Sequence, residues 1–308
     1  MVGLTRAVLA LLVLGLALAG SLPVAGAPGL AVVMPARINL VPWSLDAVRK
    51  VLERQLGAPV SLSVRPPAGF SPNEAAVERA WMLLDAGDPP PTKHRATPFR
   101  LSLYWLLAVR PDLLAKAEMD CPARWEEFQE VLLKLRADSV MVFPWFEALF
   151  SPMTLRCFEL AWPETGRGAA EFPSLARLQE TIDLKLLNPF SVDADEGLAF
   201  EVFEAGDAAF STMWVVAEAL PSGSGLRGPL AGVRFIPLPG PQGPTPVPWV
   251  ELRLWAPAAV ATATLEAAPP AAEPPGFSLV RLDPRTDEPW IRLSFPRMYD
   301  QLIQGGGD

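Results

Sequence analysis

The sequence predicts an α/β fold of two lobes, each a mixed, mostly parallel sheet flanked by helices. Three observations carry that expectation. The chain opens with a β-α-β pattern, which folds as parallel strands joined by a right-handed crossover. Beyond it, short apolar runs that read as buried strands alternate with segments whose apolar residues recur at helical spacing. About 280 residues remain after a removable N-terminal segment, enough for two lobes of ordinary size.

That segment comes first. Arg6 precedes an apolar stretch over residues 7–19, and Ala25, Gly26 and Ala27 form a small-residue cleavage site, so residues 1–27 read as a secretory signal. The stretch is short for a membrane span and is followed at once by Pro28 and Gly29. A retained N-terminal anchor is the alternative. No cysteine lies beside the cleavage site, which excludes a lipoprotein anchor. The expected location is therefore outside the cytoplasm, periplasmic or extracellular.

The elements follow in order. Residues 38–42 read as a first strand and Ser44 as the N-cap of a helix carrying Leu45, Val48, Leu52 and Leu56, closed by Gly57. Residues 60–64 alternate as a second strand. A short helix is expected over 74–81, a buried strand over 81–85 with Asp85 at its end, and a long apolar strand over 101–109. Trp125, Phe128, Leu132 and Leu135 share one helix face. Ser174 starts another helix, with Leu175, Leu178 and Ile182 inward, that ends before Pro189. Asp193 or Asp195 caps a helix with Leu198, Val202 and Phe203 on one side, and Gly206 ends it. The small residues Ala208 and Ala209 then admit a buried strand that carries Trp214 to its carboxyl end, where open α/β sheets bind ligands. A strand and turn over 232–240, a strand over 247–255, an Ala/Pro-rich connector over 256–275 and a short closing helix within 288–304 complete the chain.

Charge and composition exclude several functions. The formal net charge is −8 and no Lys/Arg cluster accumulates, which argues against a nucleic-acid or anionic-membrane surface. His94, in the polar stretch 92–95, is the only histidine and reads as solvated. The chain therefore lacks the material for a His/Cys metal site or a Ser-His-Asp triad. The carboxylate pairs Glu126/Glu127 and Asp193/Asp195 sit on a solvated helix face and at a helix start, where negative charge is favourable without catalysis. No catalytic residue, metal or cofactor is expected. Cys121 and Cys157 are either one disulfide, permitted outside the cytoplasm, or two separate buried thiols.

The run from Phe203 through Gly206, Ala208 and Ala209 to Trp214 resembles the signature of family 1 extracellular solute-binding proteins, the maltose/trehalose-binding-like group that feeds ABC sugar transporters. Asp112, Leu113, Leu114, Pro122, Trp125, Glu126 and Phe128 match a second motif of that family, and residues 232–240 a third. The resemblance runs from residue 36 to about 257. It departs at Glu118, where the family has glycine, and at Arg124, which replaces the capping threonine. Material is missing around 87–98 and 256–275, so the first lobe is reduced, and exposed sheet surface there would imply a partner.

The resemblance implies a type II periplasmic-binding-protein-like fold. Lobe 1 is then residues 28–108 plus 247–270 and lobe 2 residues 109–246 plus 276–304, joined near 107–110 and 244–248. It also implies a small neutral ligand, a sugar, in the interlobe cleft and a membrane permease as partner. Ten tryptophans against two tyrosines suit sugar faces. Trp43, Asp85, Tyr104, Trp145 and Trp214 are the candidate ligand contacts, while Trp81, Trp105, Trp125, Trp162, Trp249 and Trp255 are expected to pack. The rival reading is a degenerate member acting as an envelope interaction or assembly subunit without transport. The two part on Trp214: transport expects it exposed in a cleft, assembly expects the cleft filled.

Overall fold

The computed structural model describes residues 30–35, 40–65, 80–85, 91–163, 172–217, 232–258 and 277–305. The expected signal segment, residues 74–79 of the expected helix and residues 259–275 of the connector expected over 256–275 lie outside the described residues; Trp81 is strand, and Ala256 and Pro257 end the strand over Val247–Pro257.

The opening is β1 (Leu30–Pro35), α1 (Pro42–Leu56) and β2 (Val60–Arg65), with β1 and β2 parallel in register. The first strand thus lies earlier than residues 38–42, because Pro42 fixes a helical φ and opens α1 at its first turn. Val41 takes the N-cap position and Ser44 is helical and fully buried, its Oγ donating to the Trp214 carbonyl instead of capping. Gly57 ends α1 in the left-handed region at φ 63°, as expected.

β3 (Trp81–Asp85) adds parallel to β1, and β4 (His94–Val109) runs for 16 residues, longer than the apolar run alone suggested. His94 begins β4 and is 8% exposed with its Nε2 2.9 Å from the Ala80 carbonyl, so it is not a solvated loop residue. After α2 (Pro111–Lys116), α3 (Trp125–Ala137), α4 (Pro152–Ala161), α5 (Pro173–Asp183), a 3-10 turn (Pro189–Asp193) and α6 (Glu196–Ala205) comes β5 (Phe210–Val216). β6 (Arg234–Ile236), the small ribbon β7 (Pro239–Gly240) and β8 (Gly243–Pro244), β9 (Val247–Pro257), β10 (Leu279–Arg281) and α7 (Pro284–Gly305) close the chain.

The strands form one mixed sheet in the order β2-β1-β3-β9-β4-β5, with β10 beside β9 and β6 beside β4. It is parallel on the β2-β1-β3 side and between β9 and β10, and antiparallel in every other pairing of β4 and β9. β4 joins two halves: His94–Tyr104 pairs with β9, and Leu103–Val109 pairs with β5 and, at its end, β6.

Strand alternation splits the interior into two cores. Leu103, Trp105, Leu107 and Val109 of β4 face the main core, where Trp105, Trp125, Phe128, Trp145, Phe158 and Trp162 pack largely edge-on or tilted. Tyr104, Leu106 and Ala108 face a second cluster closed by Phe200 and Phe203 of α6. On α6 the buried face is Ala199, Phe200 and Phe203, whereas Leu198 is 43% exposed. Asp195 caps α6 through its Oδ1, 2.9 Å from the Leu198 amide, and Gly206 ends it at φ 88°. Arg110 ties these parts together. Its guanidinium holds Asp112 at 2.9 and 3.0 Å and donates to the Phe203 carbonyl at 3.2 Å, which keeps the Asp112 carboxyl below its ordinary range.

Glu147 pins the segment before α4 to β5. Its Oε1 accepts from the Trp145 indole and, at 2.8 Å, from the Thr212 amide, and its Oε2 is bonded to the Thr212 hydroxyl. The side chain is fully buried, and burial pushes its carboxyl up to about 7 from 4.5, against the pull of these donors.

Two predictions follow from this fold. Raising a carboxyl's folded pKa means that its contribution to stability is complete below pH 4.5 and is lost as pH rises through about 7. Glu147→Gln keeps the hydrogen bonds with an amide that does not titrate. Urea denaturation of both proteins should therefore show the variant gaining about 3 kcal/mol on the wild type between pH 4.5 and 8.5. Glu118 ends the α2 segment at φ 55°, with the Met119 amide 3.0 Å from the Leu114 carbonyl. Since the left-handed region penalises a Cβ, Glu118→Gly should stabilise by about 1 kcal/mol in the same assay.

Candidate functional site

The face of β4 that carries Tyr104 holds a cluster of large aromatic rings that solvent reaches. Trp43 stands in the first turn of α1, held over the sheet by the Ser44 bond to β5, and stacks on Phe235 of β6 at 5.4 Å with planes 14° apart. Tyr104 is fully enclosed and stacks at 6.4 Å on Trp249, which lies opposite it on β9. The Arg281 guanidinium, paired in register with Trp249 from β10, sits 5.7 Å from that indole. Trp43, Phe235, Trp249 and Phe277 are all half-buried, packed on one cluster with one side open. Such rings can stack on the apolar face of a ligand without first being uncovered.

The five candidate contacts do not converge. Trp43 and Tyr104 belong to this cluster. Asp85 ends β3 opposite Leu252, on the main-core face of the sheet, and is 9% exposed. Trp214 faces the main core from β5, is 2% exposed, and its Nε1 has no hydrogen-bond partner among the described residues. Trp145 is wholly buried between Trp125, Phe128 and Phe158, with its indole bonded to Glu147. In this conformation Trp145 and Trp214 are core residues.

Trp249 was expected to pack, and Phe235 was not singled out by the sequence. The signal for Trp249 was the alternation Val247, Trp249, Glu251, Arg253, Trp255, which places a tryptophan and charged residues on one face of a strand. Phe235 carries no such signal, since β6 is only three residues long.

Of the two readings left open for the cysteines, the structure has the separate thiols. Cys121 and Cys157 are both free. Cys157 lies in the core from α4, where burial and then Asp287 push its thiol well above the ordinary range. Cys121 is half-buried with its Sγ 3.9 Å from Arg234 Nη1. No disulfide joins them. Among the described residues, no group of three or more His, Cys, Asp or Glu side chains could hold a metal, and no helix is long and apolar enough to cross a membrane.

Comparison with curated proteins finds no match. Among solved structures, the GacH receptor of Streptomyces glaucescens GLA.O, described unliganded and with acarbose, is 12% identical, with 91% of this chain and 79% of that one covered at a TM-score of 0.46. Maltose-bound MalE3 of T. maritima is 18% identical, with 89% and 78% covered at 0.49. The family model of the bacterial extracellular solute-binding proteins matches residues 64–264. That span takes in β3 to β9, including the long shared strand and both halves of the sheet, and the chain belongs to this family.

Proposed function

We propose that this protein is the extracytoplasmic solute-binding component of an ABC transporter, and that it captures a small neutral ligand, a sugar, between two lobes. The observation that carries this reading is the Trp43 and Phe235 stack, half-open to solvent, in a chain of the solute-binding family. The lobes are residues 28–108 plus 247–270 and 109–246 plus 276–304, with residues 1–27 removed on export and a membrane permease as the docking partner. β4 and β9 are the shared strands, and closure would follow the ligand's preference for the closed form. Trp43 stacks on the sugar. Trp214 offers an indole N–H that lacks a partner among the described residues and would be available once the lobes part. Tyr104 backs the open face through its stack on Trp249, Trp145 would reach the ligand only if the core around it opened, and Asp85 stands at a strand end where a carboxylate can accept from a hydroxyl.

A second reading is favoured by one observation. Trp214 at 2% exposure fits a filled cleft, as expected of an interaction or assembly subunit that has kept the fold and lost transport.

Titrating the purified protein with mono- and oligosaccharides while following tryptophan fluorescence and thermal melting separates the two. The transport reading expects a saturable change with at least one sugar, weakened tenfold or more in Trp43→Ala and several-fold in Trp214→Phe. A flat response from a protein that melts cooperatively favours the second reading.

A further inference from the structure

Beyond Trp249, the same face of the sheet continues along β9 as a strip of charged and aromatic side chains that the capture of a small neutral sugar does not use. Strand alternation puts Glu251, Arg253 and Trp255 in line with Trp249. Register sets Ser102 opposite Glu251 and Arg100 opposite Arg253, both on the face of Tyr104. Glu251 accepts from Arg253 Nε at 2.9 Å and from Arg100 Nη1 at 3.5 Å. Its side chain is 14% exposed, while those of Arg253 and Arg100 are 38% and 55% exposed. Trp255 closes the strip, half-buried against Met82 and Leu84. Six residues of strand set the two indoles about 20 Å apart.

The charge on this strip runs against the rest of the chain. The protein carries a formal charge of −8, yet here Arg100 and Arg253 flank Glu251, and Arg281 stands beside Trp249 with Asp283 two residues beyond it. Glu251 offsets one guanidinium and holds each by a single contact, leaving the remaining donors of both turned to solvent between two tryptophans. A flat ligand with rings to stack at both ends and carboxylates between them complements that arrangement.

We infer that the site extends from Trp249 to Trp255 and takes an acidic oligosaccharide, a chain of uronate sugars laid along β9 with its carboxylates at Arg100 and Arg253. This rests on the reading of the protein as a saccharide binder and replaces the small neutral sugar of that reading with a longer, anionic one.

Calorimetric titration of the purified protein with an α-1,4-linked galacturonate tetramer and with an α-1,4-linked glucose tetramer tests it, at low and at physiological salt. The expected result is at least tenfold tighter binding of the galacturonate tetramer, weakening with salt. Arg100→Gln, at an exposed position, should lower that preference at least threefold without changing the melting temperature. Trp255→Ala should weaken the tetramer and spare the disaccharide of the same sugar. Equal binding of both tetramers, or a preference unchanged in Arg100→Gln, would overturn the inference and leave sugar capture standing. Binding of neither tetramer nor any neutral sugar by a folded protein would overturn both.

Discussion

The pairing of β4 with β9 and β5 is the constraint on which the remaining structure depends. Sixteen residues of strand give β4 a reach of about 53 Å, more than any partner in the sheet. Its first part is enclosed by one half of the molecule and its last part by the other, and the two halves share a single sheet for that reason. Every residue from Leu101 to Val109 is buried, so both faces of the strand must be covered, although only one face meets the large aromatic core. The second face is covered by α6 at the β5 end and then gives way to rings open to solvent. Where the cover stops, the candidate site begins.

Elements were legible in the sequence where one signal determined them. Helical spacing of Trp125, Phe128, Leu132 and Leu135 matches the buried face of α3, and the Gly57 and Gly206 caps fall at helix ends in the left-handed region. Errors arose where a local signal competed with a tertiary one. Ser44 has the chemistry of an N-cap, but Pro42 had already started the helix, and the hydroxyl found a buried carbonyl on β5. Leu198 fits an apolar helix face by spacing, but Phe200 and Phe203 offer more area to the sheet, so the helix is turned toward them.

The site was less legible than the fold because exposure is not a property of sequence. Trp43, Trp145 and Trp214 look alike as tryptophans near strand ends. Trp145 is enclosed because Glu147 offers its indole N–H a buried acceptor, and Trp43 stays half-open because its support, Phe235, arrives from a three-residue strand far along the chain. The register of β9 on β4 decides Trp249 in the same way. Without that register its alternation with Glu251 and Arg253 reads equally well as an outward edge.

The bulge in β4 decides what this face presents. Between Ala96 and Arg100 the strand advances four residues while β9 advances two, from Trp255 to Arg253. The difference is even, so Arg100 returns to the face it would have occupied in an unbroken ladder. One inserted residue instead of two would have sent Arg100, Ser102 and Tyr104 to the main core and Leu101 and Leu103 to the open side. The detour is fastened by Thr97, whose hydroxyl donates to the Leu254 carbonyl at 2.8 Å and accepts from the Phe99 amide at 3.3 Å. Phe99 is thereby left 1% exposed in the main core. A buried hydroxyl with both roles filled is costly to disturb, so the same contact that anchors Phe99 also keeps Arg100 beside Glu251 and Tyr104 beneath Trp249.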